Sequence, residues 1–332
     1  MSGQVGAPSP AWRVLLDGKD LTDRVRPRLL DLTLAESRGG EADQLDLRIH
    51  DHDGLMALPR RGVELQVAIG WQDGGLINKG TFSVDEVEHS GSPDVITIRA
   101  RSADLTRPLR TRRERSWHDV TLDAVVRNLA GEHGLSPRID PGLAKIAIPH
   151  LDQTGESDAN LLSRLGKRFD AVATVKAGSL LFFPIGRGTT ASGEPLPDAL
   201  IVRASGDQHR YSVADRDTYS GVRAYWNHKA GADRKSVLVG VSGNAKRLRE
   251  TYNNEAEARE NAQAEWKRLQ RGAATFGFRM ALGRADLYPE QIIRVQGFKA
   301  EIDDTRWLIA KATHTISGSE GFTTMLELET AI

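Results

Sequence analysis

GTFSVDEVEHSGSPDVITIR (residues 80–99) and TRWLIAKATHTISGSEGFTTMLELE (305–329) read as one strand–turn–strand unit written twice. Placing Phe82 on Trp307 puts Val84 on Ile309 and His89 on His314. Each copy then runs through a Gly/Ser turn (Ser90, Gly91, Ser92; Ser317, Gly318, Ser319) into an alternating strand. Upstream, residues 64–69 correspond loosely to 291–296. The expectation is a duplication giving two similar small β-barrels per chain, so that three chains would present six similar units around an axis. The bland alternative is two unrelated hairpins, because alternation and turn residues recur in all of them.

Around the first copy the pattern is the same. Leu45, Leu47 and Ile49 alternate with Asp46 and Arg48 and stop at Asp51-His52-Asp53-Gly54. Val63, Leu65, Val67 and Ile69 alternate next, and Gln72-Asp73-Gly74-Gly75 turns the chain. Period-two alternation with Gly/Asp punctuation marks half-buried antiparallel strands. Residues 1–105 therefore read as a small barrel or sandwich.

From about residue 106 the period changes. Leu122, Val125, Val126, Leu129 and Ala130 share one helical face, with Thr121 as N-cap and Gly134 as the stop. Leu161, Leu162, Leu165 and Phe169 make a second face after Ser157, and 171–183 reads as a hairpin. This α+β middle domain extends to about residue 200, with 186–197 as a turn-rich surface segment. The last domain, 201–332, returns to strands around one long surface helix at about 254–270. Its stripe is Ala258, Ala262, Trp266 and Leu269, assigned to packing on the second barrel. Acids in its first half and bases at its end complement the helix dipole.

Composition narrows the function. The chain has 332 residues, 45 Lys+Arg against 45 Asp+Glu, and no cysteine. Charge balance argues against whole-molecule binding to nucleic acid or acidic membrane. The absence of thiols excludes disulfides, Cys-ligated metals and thiol nucleophiles. Hydrophobic content of 39% suits a soluble protein. The longest apolar run, near 180–185, is far short of the roughly 20 residues of a membrane span, and the N-terminus has no secretory pattern.

Candidate chemistry is sparse. His50-Asp51-His52-Asp53 offers metal-ligand types, but Gly54 and the acids mark a solvated strand end. Gly186-Arg187-Gly188-Thr189-Thr190 has neither the Gly-Lys-Ser/Thr ending nor the helix of a phosphate loop. No catalytic residue, cofactor site or metal site is assigned. Arg99, Arg101, Arg107, Arg110, Arg112, Arg113 and Arg115 place seven arginines in seventeen residues, opposed by Asp104 and Glu114. They read as an interdomain connection paired to acids elsewhere, or as an interchain contact; without interleaved aromatics they make no single-strand platform. Interaction candidates are Trp71, Gln72, Asp73 and Asn78 at a hairpin tip, with Arg110, Arg112, Arg113 and Arg115.

Several stretches resemble the late control D family of contractile phage tails: GGEADQLDLRIHDHDG (39–54), GTFSVDEVEH (80–89), DVITIRARSADL (94–105), RRERSWHDVTL (112–122), DQTGESDANLLSRL (152–165), GRGTTASGEPLP (186–197) and SVADRDTYSGV (212–222). The resemblance runs in the same order from about Trp12 to the C-terminus. The resemblance implies a baseplate hub related to the hub part of type VI secretion spike proteins. It further implies two tail-tube-like barrels per chain and a homotrimer with pseudo-sixfold symmetry, adapting a hexameric tail tube to a trimeric spike. Expected partners are the tail tube protein, a separate central spike and other baseplate proteins. DNA would pass through the channel without specific binding, and nothing would insert in a membrane. The expected location is the tail baseplate of a phage or contractile bacteriocin, after synthesis in the host cytoplasm. Such a hub is a structural part and not an enzyme. The competing reading is a tail-borne cell-wall hydrolase, and literal transcriptional control would need a basic helix-turn-helix that the sequence lacks.

Overall fold

The computed structural model describes residues 8–39, 42–102, 107–176, 178–190, 194–213, 219–227 and 233–332. Asp104, the 105/106 boundary and residues 191–193 of the turn-rich segment lie outside these. The fold is mainly β. The first third supplies β1 (Pro10–Leu16), β2 (Lys19–Asp20), β3 (Leu29–Ser37), β4 (Gln44–His50), β5 (Glu64–Trp71), β6 (Gly75–Ser90) and β7 (Val95–Ser102). The middle holds β8 (Arg112–Thr121), β9 (Ser136–Ile139), β10 (Ala147–Ser157), β11 (Ala171–Lys176) and β12 (Ser179–Pro184) with helices Leu122–Glu132 and Asp158–Phe169. The rest is β13 (Ala199–Val202), β14 (Gly206–Val213), β15 (Gly221–Asn227), β16 (Arg234–Gly240), β17 (Ala245–Tyr252), helix Glu255–Arg271, β18 (Ala274–Met280), β19 (Ile292–Gln296), β20 (Trp307–Ser317) and β21 (Gly321–Thr330).

Both strand-rich ends belong to one 13-stranded sheet. In the first end the hydrogen-bonded order is β3-β4-β7-β6-β5-β1, and in the last it is β14-β18-β21-β20-β19-β13. Taken in chain order, the strands of each end occupy the same places in these two ladders. The registers agree as well: Leu45 lies opposite Ala100 and Leu47 opposite Ile98, while Phe276 lies opposite Leu328 and Phe278 opposite Leu326. Phe82 and Val84, matched by sequence to Trp307 and Ile309, are buried as their counterparts are. One pairing differs: β1 runs antiparallel to β5, whereas β13 runs parallel to β19. Each end has its own apolar core, one around Leu34, Leu47 and Phe82 and the other around Phe276, Trp307 and Leu326.

The two ladders meet where residues 311–317 of β20 pair antiparallel with residues 31–37 of β3. Near its start β20 bonds β19 instead, through Trp307 and Leu308. A register shift between Ile309 and Lys311 in its pairing with β21 separates the two segments.

The middle unit packs its helices over β9, β11 and β12 around Leu129, Leu161 and Phe182. Thr121 and Ser157 cap their helices through side-chain oxygens, as their residue types favour. The long helix differs from expectation in its neighbour. Ala258 and Ala262 pack on Val222, Ala224 and Val237 of a separate three-stranded sheet, β16-β15-β17. An apolar stripe shows that a helix is covered but not which sheet covers it. This β15–helix unit is inserted between β14 and β18, where the first end has only the short link between β3 and β4.

Candidate functional site: the joint between the two ladders

The joint carries a buried polar cluster. Glu36 occupies the inward phase of β3 after Leu32 and Leu34, and Lys79 and His314 come from β6 and β20. Lys79 Nζ lies 2.6 Å from Glu36 Oε2, and His314 Nε2 lies 3.1 Å from the same oxygen. His314 Nδ1 is 2.9 Å from the Thr324 hydroxyl, and Lys79 also sits 4.3 Å from the Tyr288 ring centroid. A buried charge is tolerable only with such partners. Burial opposes a charge on Glu36, but the His314 bond and the Lys79 cation outweigh it and hold the carboxyl below its usual range. Burial lowers His314 below the ordinary imidazole range, with the Glu36 bond offsetting this only in part. Neutral His314 then donates from Nε2 to Glu36 and accepts the Thr324 hydroxyl at Nδ1.

This predicts acid sensitivity of the joint. A histidine lowered in the folded state binds its proton more readily when unfolded, so stability falls as pH drops through the unfolded value of about 6.5. Hydrogen exchange of the β3 and β20 amides should accelerate relative to those of helix Leu122–Glu132 between about pH 7.5 and about pH 5.5, after correction for intrinsic rates. His314→Gln should flatten that difference; an unchanged difference contradicts the assignment.

A second polar layer ties four parts of the chain together. Arg38, just past β3, reaches Glu290 and Glu329 of the last third at 2.5 and 2.6 Å. Arg271, closing the long helix, grips Asp170 of the middle unit through both terminal nitrogens, one at 2.6 Å. Its Nε lies 3.0 Å from Glu329. Gly186 N–H donates to Glu290 at 2.7 Å.

The sequence candidates divide. Trp71 lies within the chain: its Nε1 donates to the Gly283 carbonyl at 2.8 Å and its ring meets Phe322 at 5.3 Å between centroids. Gly283 permits this approach, since a Cβ there would stand 2.4 Å from the Phe322 ring. Gln72 and Asp73 are exposed, as is Asn78, whose Oδ1 accepts from Gly80 N–H. Arg110 and Arg112 are exposed. Arg113 and Arg115 project from β8 onto Glu132 and buried Asp158, with Arg115 Nη2 2.5 Å from the latter and Gln153 and His133 completing its shell. The arginine-rich stretch is thus partly a strand, whose half-buried side is Arg113, Arg115 and Trp117. Asp53, from the His/Asp run, pairs with Arg28. Glu36 and Lys79 escaped the sequence reading; the available signal was a charge in the inward phase of an apolar strand.

The fold is similar to those of solved tail and secretion-system proteins. The chain covers 96% of itself and 98% of a 43 kDa tail protein of prophage MuSo2 from Shewanella oneidensis, with TM-score 0.70 and 17% identity. A type VI secretion component of Escherichia coli matches with TM-score 0.56 and 14% identity over 91% of this chain and 73% of that one. At sequence level, the "Probable baseplate hub protein" of Escherichia phage 186 is 42% identical, over 97% of this chain and 93% of the relative. The family model for the phage tail baseplate hub (GPD) matches residues 41–320. The chain belongs to that family, and hub proteins of this family are components of the phage tail.

Proposed function

We propose that the chain is a structural hub in which each ladder is one tube-like barrel unit. Three copies would make a pseudo-sixfold ring that adapts a hexameric tail tube to a trimeric spike. The repeated strand order carries this reading: a chain with two topologically equal units can meet sixfold symmetry on one side while remaining threefold on the other. The boundaries proposed from sequence, 1–105, 106–200 and 201–332, are kept with one refinement, the inserted β15–helix unit within the third. Partners on this reading are the tube protein, a spike and further baseplate proteins, in the particle of a phage or a contractile bacteriocin. Balanced charge suits a conduit that does not hold nucleic acid.

Light scattering on the purified chain should give three times the 36.4 kDa chain mass, and images should show threefold rings with sixfold appearance. A monomer at tens of micromolar overturns the proposal. Clearing of a peptidoglycan gel by the same preparation would replace the structural role with a hydrolase.

A further inference from the structure

The two ladders are equivalent, but their edges are not equally covered. In the second ladder, residues 311–317 of β20 are paired by β3 of the first. The equivalent stretch of the first ladder is residues 86–90 of β6, which bond β7 on one side. Among the described residues no strand pairs with their other side. At the far end, β14, the counterpart of β3, pairs with β18, and its outer edge is likewise open among the described residues. Glu88, His89 and Ser90 are exposed where Thr313, His314 and Thr315 are covered, and His209, Arg210 and Ser212 are exposed where Leu32, Thr33 and Ala35 are covered. A groove lined by Arg203, Gly206, Asp207, His209 and Phe278 opens beside the β14 edge.

We infer that residues 86–90 of one copy pair antiparallel with Gly206–Val213 of the next, repeating between copies the β20–β3 joint made within each chain. This rests on the hub reading, which it deepens by naming the contact that closes the ring. The register follows from the internal ladders. His314 faces Leu34 and Thr313 faces Ala35. The sequence match carries His314 to His89, and the ladder carries Leu34, opposite Leu45, to Tyr211, opposite Phe276. His89 then faces Tyr211, Glu88 faces Ser212 and Val87 faces Val213. Val213 is 60% exposed in the single chain, while Val87 packs on the first core, so this pair extends that core across the contact. Arg210 falls diagonal to Glu88, within reach of an opposite charge on one face. An open edge is a template for another strand. Here the two edges differ, so the contact is head to tail and generates a ring when its rotation closes.

The absence of native cysteine makes the test direct. Glu88→Cys and Ser212→Cys are placed on separate chains, mixed and oxidised. Thr313→Cys with Ala35→Cys in one chain calibrates the same pairing within the molecule, and Glu88→Cys with Arg210→Cys is the off-register control. The expected result is a reductant-sensitive dimer from the 88/212 mixture, absent from either variant alone and weak in the off-register control. The double variant Glu88→Cys/Ser212→Cys should yield a covalent trimer. A trimer by light scattering whose internal control closes while 88/212 does not overturns this contact and leaves the hub reading intact. A monomer overturns both. Specific 88/212 closure of a ring of another size keeps the contact and overturns the trimer, and equal yield off register overturns the contact.

Discussion

Lys79→Met is expected to destabilise the folded chain by about 3–5 kcal/mol. The substitution leaves Glu36 buried in the joint without its cation, with His314 as the remaining partner of that carboxyl oxygen. Breaking a buried ion pair by removing one partner is costly for that reason, even where the intact pair contributes little net stability. The double change Lys79→Met with Glu36→Gln should therefore lose less than the sum of the single losses, and the difference measures the coupling. Denaturant unfolding supplies the totals, and hydrogen exchange at β3 and β20 shows where the loss falls. A cost below about 1 kcal/mol, typical of exposed pairs, would show that the joint is wet.

Arg271→Ala should produce a loss of similar size, about 3–5 kcal/mol, by leaving Asp170 without its partner. Asp170 caps helix Asp158–Phe169 with left-handed backbone at φ 52° and is 4% exposed. That conformation is uncommon for residues other than glycine, and the doubly bonded guanidinium holds it in place. Because Arg271 ends the inserted helix and also faces Glu329, exchange should rise in the middle unit, the inserted unit and β21 together. Arg271→Lys keeps the charge but cannot reproduce the fork, so an intermediate loss is expected. Loss confined to the inserted helix would show that the three units are not coupled through this residue.

Most of the fold was legible in local pattern. The alternation of Leu45, Leu47 and Ile49, the cap Thr121, and the helix starts after Ser157 and near residue 254 correspond to observed elements. The repeat was legible too, because Phe82 and Trp307 fill equivalent places in two cores. β8 was not, since its half-buried side is built from arginine stems and one tryptophan, which carry no apolar alternation. The joint was hidden for a different reason: 31–37 and 311–317 have no local signal for one another. Trp71 reads as a hairpin tip in sequence because only the distant Gly283 and Phe322 reveal its contacts.

The β3–β20 joint also bears on how the chain is made. β3 leaves the ribosome some 270 residues before its partner begins at Trp307. At roughly 5–20 residues per second the interval is roughly a quarter of a minute to a minute. Throughout it the nascent first ladder has an uncapped strand bearing Glu36 at its inward phase, unable to complete its ion cluster. That charge makes the waiting edge a poor match for an apolar stranger, as inward charges do on other guarded edges, and it becomes comfortable only when the last strands of the same polypeptide arrive. Arrival of residues 311–317 is thereby the event that seals the molecule, and a polypeptide released before them would keep the β3 edge open with its inward charge as the guard.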